Sequence, residues 1–254
     1  MHRFYLPPEL CRGDIIQLPE NEAHHAARVL RVEAGECVTI LDGAGHVIDC
    51  EVREVTKRNV TLAALKKTFS PPLPCQITLL QAMPKPKALD YIVQKATELG
   101  AARIVPLLTE RVIAHVDERS APDKAAKLQP VAIEAIKQCG SPWLTKIEPP
   151  VSLKNFLARH DQFELPLVAS LKNGSQHPRE FIQKFCDTNK RLPKTACLWI
   201  GPEGDFTPVE MELILSLGAL PVTLGSLVLR SDTAAIYGLS VMNYELQSTD
   251  QSSL

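Results

Sequence analysis

The stretch that decides the fold runs from Leu198 to Gly218 and reads LWIGPEGDFTPVEMELILSLG. An apolar run breaks at Gly201-Pro202-Glu203-Gly204 and restarts at once as a helix. Thr207 suits an N-cap, Pro208 suits the first helical position, and Glu210 completes a capping box three residues after the cap. The reading is therefore a strand, a glycine-rich turn and a helix start. Strands that alternate with helices build parallel sheets, and such sheets bind ligands beyond the carboxyl ends of their strands. Glycines there let the backbone approach a bound molecule closely. An ordinary βα turn is explanation enough for one such loop on its own.

The chemistry of the loop narrows its ligand. It is neither G-x-x-x-x-G-K-[ST] nor G-x-G-x-x-G, and neither pattern occurs elsewhere in the chain. Pro202 removes an N–H and Glu203 adds a carboxylate, so phosphate is poorly served and a cationic or neutral ligand fits better. A second loop strengthens the case. In PVTLGSLVLRSDTAAIYGLSVM a strand again ends in glycine, here Gly225, and Arg230 stands just before Ser231-Asp232-Thr233, a helix-capping cluster. Two glycine turns in neighbouring βα units, one carrying Glu203 and one Arg230, read as two walls of a single site.

Working outward, the alternation of strands and helices extends back to QITLLQA. It runs through a helix over Ala88–Leu99, the strand RIVPLL, a helical stretch around Lys124–Gln138, the strand candidates LPLVAS, ACLWI and PVTLG, and helices near 178–188, 208–217 and 232–246. Before it, KKTFSPPLPC is read as an extended linker, because Pro71, Pro72 and Pro74 forbid a helix. The first 70 residues are mostly β: RFYL, DIIQL, CVTIL with its partner after the Asp42-Gly43 turn, and NVTLAAL, interrupted by one short helix from Glu22 to Leu30. A small antiparallel barrel closes that many short strands. Two domains are expected, 1–70 and 71–254, with the polar tail QSTDQSSL frayed.

The 254 residues are 45% hydrophobic and 22% charged, with a formal net charge of -1. That balance excludes a surface coated in positive charge for non-specific nucleic-acid binding. No apolar run reaches the ~20 residues a membrane span needs, and the N-terminus lacks a secretory leader. Seven cysteines with no C-x-x-C spacing indicate neither a disulfide framework nor a zinc site, and reduced thiols in a cytoplasmic protein fit best. His24-His25 suggests no metal, since adjacent residues point to different helix faces and no third ligand is evident.

The segment from Ile200 to Met242 resembles the C-terminal signature of the RsmE family of 16S rRNA (uracil-N3)-methyltransferases, of the SPOUT class. HRFYLP at the start, HHAARVLRVEAGECVTILDGAG in the β-rich part, QAMPKPKALDYIVQKATELGAARIVPLLTERV after the linker and KQCG at 137–140 are similar to the family in the same order. The resemblance implies a PUA-like barrel that helps hold RNA, then an α/β domain with a deep trefoil knot and a mostly parallel sheet. It implies a homodimer, with no DNA or membrane partner, that binds S-adenosylmethionine between the two loops. Ile200, Gly201, Pro202, Glu203 and Gly204 would form one wall, and Leu224, Gly225, Leu229, Arg230 and Thr233 the other. The reaction would methylate N3 of a uridine in 16S rRNA. Arg230 would stabilise negative charge on the uracil carbonyls, and Glu203 would accept the N3 proton or attract the sulfonium. Arg3, Arg28 and Arg31 are the expected RNA contacts, with Arg28 and Arg31 on one face if the helix continues that far.

The sequence departs from the family at several positions. Asp205 stands where a second glycine is usual, and Asp is among the residues that tolerate a left-handed backbone. Asp232 replaces Glu, Ser226-Leu227 replaces Pro-Arg, and Lys137 and Ser141 replace Glu and Arg, changes expected to tune RNA contacts. Two other readings stay open: a knotted methyltransferase acting on tRNA or on a ribose 2′-hydroxyl, and a non-catalytic RNA-binding factor that has lost the cofactor.

Overall fold

The computed structural model describes residues 1–56, 59–112, 121–172 and 174–247. The chain forms two compact units, one of Met1–Pro72 with Ile133–Leu144 and one of Leu73–Ala132 with Thr145–Leu254.

The first unit holds strands β1 (His2–Tyr5) and β2 (Ile15–Gln17), a short helix α1 (Glu20–His24) that runs on as a π-helical turn over His25–Leu30, and strands β3 (Cys37–Leu41), β4 (His46–Val55) and β5 (Val60–Phe69). They form one five-stranded sheet in the order β1-β3-β4-β5-β2. Its core gathers alternate strand residues such as Phe4, Ile16, Val38, Ile40, Ile48 and Leu62 under Ala23 and Ala26 of the helical segment. Two expectations are corrected. The sheet is not purely antiparallel, because β1 pairs with β3 in parallel. A parallel pair needs a crossover, and residues 6–36, including β2 and α1, supply it. The linker also begins later than read, since β5 continues to Phe69 and carries Lys66 and Lys67 in a strand.

The second unit alternates throughout. Strand β6 (Gln76–Ala82) leads to α2 (Pro86–Glu98), β7 (Arg103–Leu108) and α3 (Ala121–Cys139), which ends in the first unit. Short strands β8 (Lys146–Ile147) and β9 (Val151–Ser152) precede α4 (Leu153–Leu157), β10 (Leu165–Ala169), α5 (Pro178–Asn189), β11 (Thr195–Ile200), α6 (Pro208–Ser216), β12 (Leu220–Val222) and α7 (Ser231–Leu246). The sheet order is β12-β10-β11-β6-β7-β8, with β9 also beside β7, and every pairing is parallel. All the strand carboxyl ends therefore lie on one edge.

The central strands β6 and β11 are almost wholly buried, as a sheet covered on both faces requires. The stripe of α2 made by Leu89, Ile92, Val93 and Ala96 is buried as its spacing predicts. Helix α7 packs on α2, β6 and β11. Gly238 allows that approach, since a Cβ there would stand 2.6 Å from Cδ2 of Leu198.

The segment Ile133–Leu144 is built into the first unit by named contacts. Arg3 donates to the carbonyls of Lys137 and Gln138, at 3.3 and 2.9 Å, at the carboxyl end of α3. Lys137 itself is buried, with Nζ 3.2 Å from Glu22 and 2.8 Å from Glu134. Burial disfavours its charge, but the two carboxylates outweigh that and raise its pKa. Trp143 donates its indole N–H to Ser70 and packs edge-on against Phe69. Among the described residues all seven cysteines are free, no helix is long and apolar enough to cross a membrane, and no metal-ligand cluster forms. The tail read as frayed lies outside the described residues beyond Gln247.

Candidate functional site

Strand β11 carries the first wall. Beyond Ile200 the backbone turns through Gly201-Pro202-Glu203-Gly204, and Asp205 takes φ 60°, the left-handed conformation expected of it. The turn closes with Asp205 N–H on the Pro202 carbonyl at 2.9 Å, and the Asp205 side chain accepts from Phe206 N–H at 2.8 Å. Phe206 is buried and plants the loop in the core. Helix α6 then starts as read: Thr207 caps, Pro208 follows, and the capping box with Glu210 is complete.

Glu210 does more than cap. Its buried carboxylate also accepts the Glu110 N–H at 2.8 Å, drawing the turn after β7 onto this loop. In the same turn Arg111 donates from Nη1 to the Gly204 carbonyl at 2.6 Å. From behind, Ser231 Oγ donates to the Gly201 carbonyl at 2.8 Å and accepts from Gln81 Nε2 at 2.9 Å. Gln81 is fully buried, and its Oε1 has no hydrogen-bond partner among the described residues. Cys197, four residues before Gly201, is buried too, and burial raises its thiol pKa, which suits a packing residue rather than a nucleophile.

The second wall follows β12. Thr223 and Gly225 hold each other through the Thr223 hydroxyl, at 3.1 and 3.2 Å, and Gly225 takes φ 114°. Beyond it Leu227 and Val228 are 75% and 79% exposed. One expectation is corrected here. Ser231-Asp232-Thr233 does not cap α7 with a side chain: Arg230 is the N-cap residue and makes no side-chain cap bond, Ser231 turns inward to Gly201, and Asp232 bonds the N–H of its neighbour Thr233.

The two walls face one cavity of about 420 Å³, within the range usual for a small-molecule site. Ile200, Gly201, Pro202 and Glu203 line one side, and Leu224, Gly225 and Leu229 the other. Gly204, Arg230 and Thr233 stand outside this lining. Thr233 is exposed, and Arg230 has an 84% exposed side chain whose Nε lies 4.0 Å from Asp232. A third wall, missed in the sequence, comes from Ala169–Lys172, Gly174 and Ser175 after β10. Its signal was the third glycine turn after a strand, in LVASLKNGS. Glu203 and Asp205 put two carboxylates on the lining, with Ser170, Ser175 and Ser231 as hydroxyls. No basic side chain other than Lys172 is on it, a donor set suited to a ligand with a positive centre.

The expected RNA contacts all lie in the first unit. Arg3 is occupied with the carboxyl end of α3. Arg28 and Arg31 are exposed and make no hydrogen bond or ion pair among the described residues. They do not share a regular helix face: the π-helical turn ends at Leu30, and Arg31 is its cap with φ 55°. Lys137, expected to tune RNA contacts, is buried in its ion pairs, and the Ser141 hydroxyl accepts from Trp143 N–H.

A family model described as RNA methyltransferase domain matches residues 71–243, and one described as RNA methyltransferase PUA domain matches residues 18–65. Ribosomal RNA small subunit methyltransferase E of Aquifex aeolicus is 30% identical, with 95% of this chain and 99% of that protein covered. A putative methyltransferase of Legionella pneumophila, solved with bound SAM, is 32% identical with a TM-score of 0.84, over 95% of this chain and 96% of that one. Ribosomal RNA small subunit methyltransferase E from Neisseria gonorrhoeae, bound to S-adenosyl methionine, is 27% identical with a TM-score of 0.83, over 96% of this chain and 97% of that one.

Proposed function

Because the chain belongs to the ribosomal RNA small subunit methyltransferase E family of RNA methyltransferases, we propose that it methylates N3 of a uridine in 16S rRNA, with S-adenosylmethionine as donor. The observation that carries this reading is the three-walled cavity at the carboxyl edge of the sheet, with carboxylates but no arginine on its lining. S-adenosylmethionine supplies an electrophilic methyl group on a positively charged sulfur. Ile200, Gly201, Pro202, Leu224, Gly225 and Leu229 hold it, largely through backbone groups, and Glu203 offsets its charge.

Uracil N3 is a poor nucleophile until its proton leaves. We assign Glu203, an exposed residue of the lining, as the acceptor of that proton. The charge then spreads over the flanking carbonyl oxygens, where a guanidinium stabilises it without surrendering its own proton. Arg230 suits this role, with an 84% exposed side chain just outside the second wall and only the Asp232 carboxylate, 4.0 Å away, as partner among the described residues. The base must leave any stack to enter, so the target is a splayed or unpaired nucleotide. The exposed Arg28 and Arg31 contact RNA from the first unit.

The reading extends to three further points. The edge strand β12 is followed by α7, which returns to the central strands β6 and β11, and this supports a trefoil-knotted threading. Tyr237 and Tyr244 of α7 are exposed at 44% and 75%, in keeping with a homodimer. Free cysteines accord with a reducing, cytoplasmic setting.

The test is to incubate the protein with methyl-labelled S-adenosylmethionine and small ribosomal subunits from a strain lacking the modification, then to identify the labelled nucleoside. Label in N3-methyluridine is expected. Label in a ribose-methylated or other nucleoside overturns the specificity, and no cofactor binding overturns the enzyme.

A further inference from the structure

Arg111 plays no part in the chemistry proposed for the cavity, yet the structure fixes it beside the site. The turn from Thr109 to Val112 follows β7, two strands from β11, on the edge where all the strands end. Two bonds hold it to the first wall: the Glu110 N–H to the Glu210 carboxylate at 2.8 Å, and Arg111 Nη1 to the Gly204 carbonyl at 2.6 Å. Gly204 is the residue between Glu203 and Asp205, both of which line the cavity. A Cβ at Gly204 would meet Cδ of Arg111 at 3.4 Å, so the arginine lies along the outer side of that loop. It is exposed and absent from the cavity lining. One of its five N–H groups is used on Gly204, which leaves four to face solvent at the rim.

Its surroundings point to what it holds. The turn after β6 is bonded to the end of β7, Met83 N–H to the Leu107 carbonyl at 2.9 Å, and leads into α2, whose N-cap Lys85 and first-turn Lys87 are both exposed and without an ion pair among the described residues. The acidic groups nearby are Glu110, exposed in the same turn, Asp90, exposed three residues after Lys87, Glu210, consumed by its three bonds, and Glu203 and Asp205 on the cavity side. Positive charge therefore runs away from the cavity along the strand ends, while Glu203 and Asp205 face into it. A nucleotide whose base enters the cavity leaves its sugar and phosphate at the rim. Arginine is the side chain that grips such an anion with a planar fork.

We propose that Arg111, preset by its bond to Gly204, binds a backbone phosphate beside the target nucleotide, and that Lys85 and Lys87 extend this contact along the strand. This inference rests on the RNA methyltransferase reading.

Binding of the full chain to unmodified small ribosomal subunits is measured over a series of potassium chloride concentrations, with affinity for S-adenosylmethionine measured in parallel. For Arg111→Ala the slope of log affinity against log salt should become shallower by about 0.7 to 0.9, the loss of one phosphate contact. Arg111→Lys should keep the slope, and the double variant Lys85→Ala with Lys87→Ala should bind S-adenosylmethionine within twofold of the parent. Lys85→Ala with Lys87→Ala leaves the Gly204 contact intact and should also flatten the slope, which keeps the test open if Arg111→Ala folds poorly. An unchanged slope in both the arginine and the double-lysine variants overturns the proposal. So does a fall in cofactor affinity with the RNA slope intact, which would make Arg111 a buttress only. Absence of any subunit binding by the parent protein overturns the methyltransferase reading along with it.

Discussion

The two main walls of the cavity are built from the same kind of loop, yet one is fastened along its length and the other only at its start. The loop from Gly201 to Thr207 is held by Ser231 and Arg111 on its carbonyls, by Asp205 within the turn, by buried Phe206 and by the capping box of α6. The loop from Thr223 to Leu229 is tied only at its start among the described residues, by the Thr223 N–H on the Gln176 carbonyl at 2.9 Å and the Thr223 hydroxyl on Gly225, and beyond these Ser226, Leu227 and Val228 are exposed. Few buried contacts and few anchored backbone groups are the physical content of a low local stability. The difference teaches a division of labour. On this contrast the first wall would act as a template for the ligand and the second would gain contacts on binding, which variants on each wall test.

The sharpest way to break this comparison is to remove the fastening. Glu210→Ala deletes a buried carboxylate that accepts the N–H groups of Thr207 and Glu110 and the Thr207 hydroxyl. Stranding those donors and losing the cap should cost about 3 kcal/mol, read from the denaturant midpoint. Thr223→Ala on the other wall removes a partly exposed hydroxyl and its two bonds to Gly225, and should cost less than Glu210→Ala, about 1 kcal/mol. Equal losses would sink the template idea.

Glycine substitutions probe the same contrast more gently. A Cβ on Gly201 would stand 3.0 Å from Asp205 Oδ1 and 3.3 Å from Phe206 N, within a turn closed by its own hydrogen bonds. Gly201→Ala should therefore weaken S-adenosylmethionine binding by about tenfold, equivalent to ~1.4 kcal/mol. A methyl group added at Gly225 would have nothing within 4 Å, but the φ of 114° there suits glycine alone. Because its loop can shift, Gly225→Ala should weaken binding by only a few-fold, measured by calorimetry. A larger loss at Gly225 than at Gly201 would reverse the assignment of the two walls.

How much of this was legible in the sequence follows from how local each device is. The capping box at Thr207 and Glu210, the left-handed Asp205 and the buried stripe of α2 rest on residues a few positions apart, and all three appear as read. Contacts between distant residues were invisible. Arg111 and Gly204 are 93 residues apart, and Lys137 and Glu22 are 115 apart, so nothing near the arginine or the lysine in the chain announces its partner. Lys137 reads as a surface charge because a lone lysine has no local sign of burial. The π-helical turn that parts Arg28 from Arg31 also escapes a reading based on helical period. The third wall is hard to see because LVASLKNGS lacks the proline, acid and capping signals that mark the first loop.

The smallest effect, and the one that tests compliance most directly, is in backbone hydrogen exchange. Amides at Gly225–Leu229 have Thr223 as their only hydrogen-bond partner among the described residues, and Gly225 alone uses it. Exchange there should be fast without ligand. In the first wall Asp205 and Phe206 N–H are already bonded to Pro202 and to the Asp205 side chain. Adding S-adenosylmethionine should slow exchange several-fold across 225–230 and change it little at Asp205 and Phe206, since a segment that is already ordered has little left to lose. Comparable slowing in both segments would mean that the first wall also waits for its ligand. The hydrogen bonds to Gly201 and Gly204 would then position a loop that is closed by binding, rather than one built in advance.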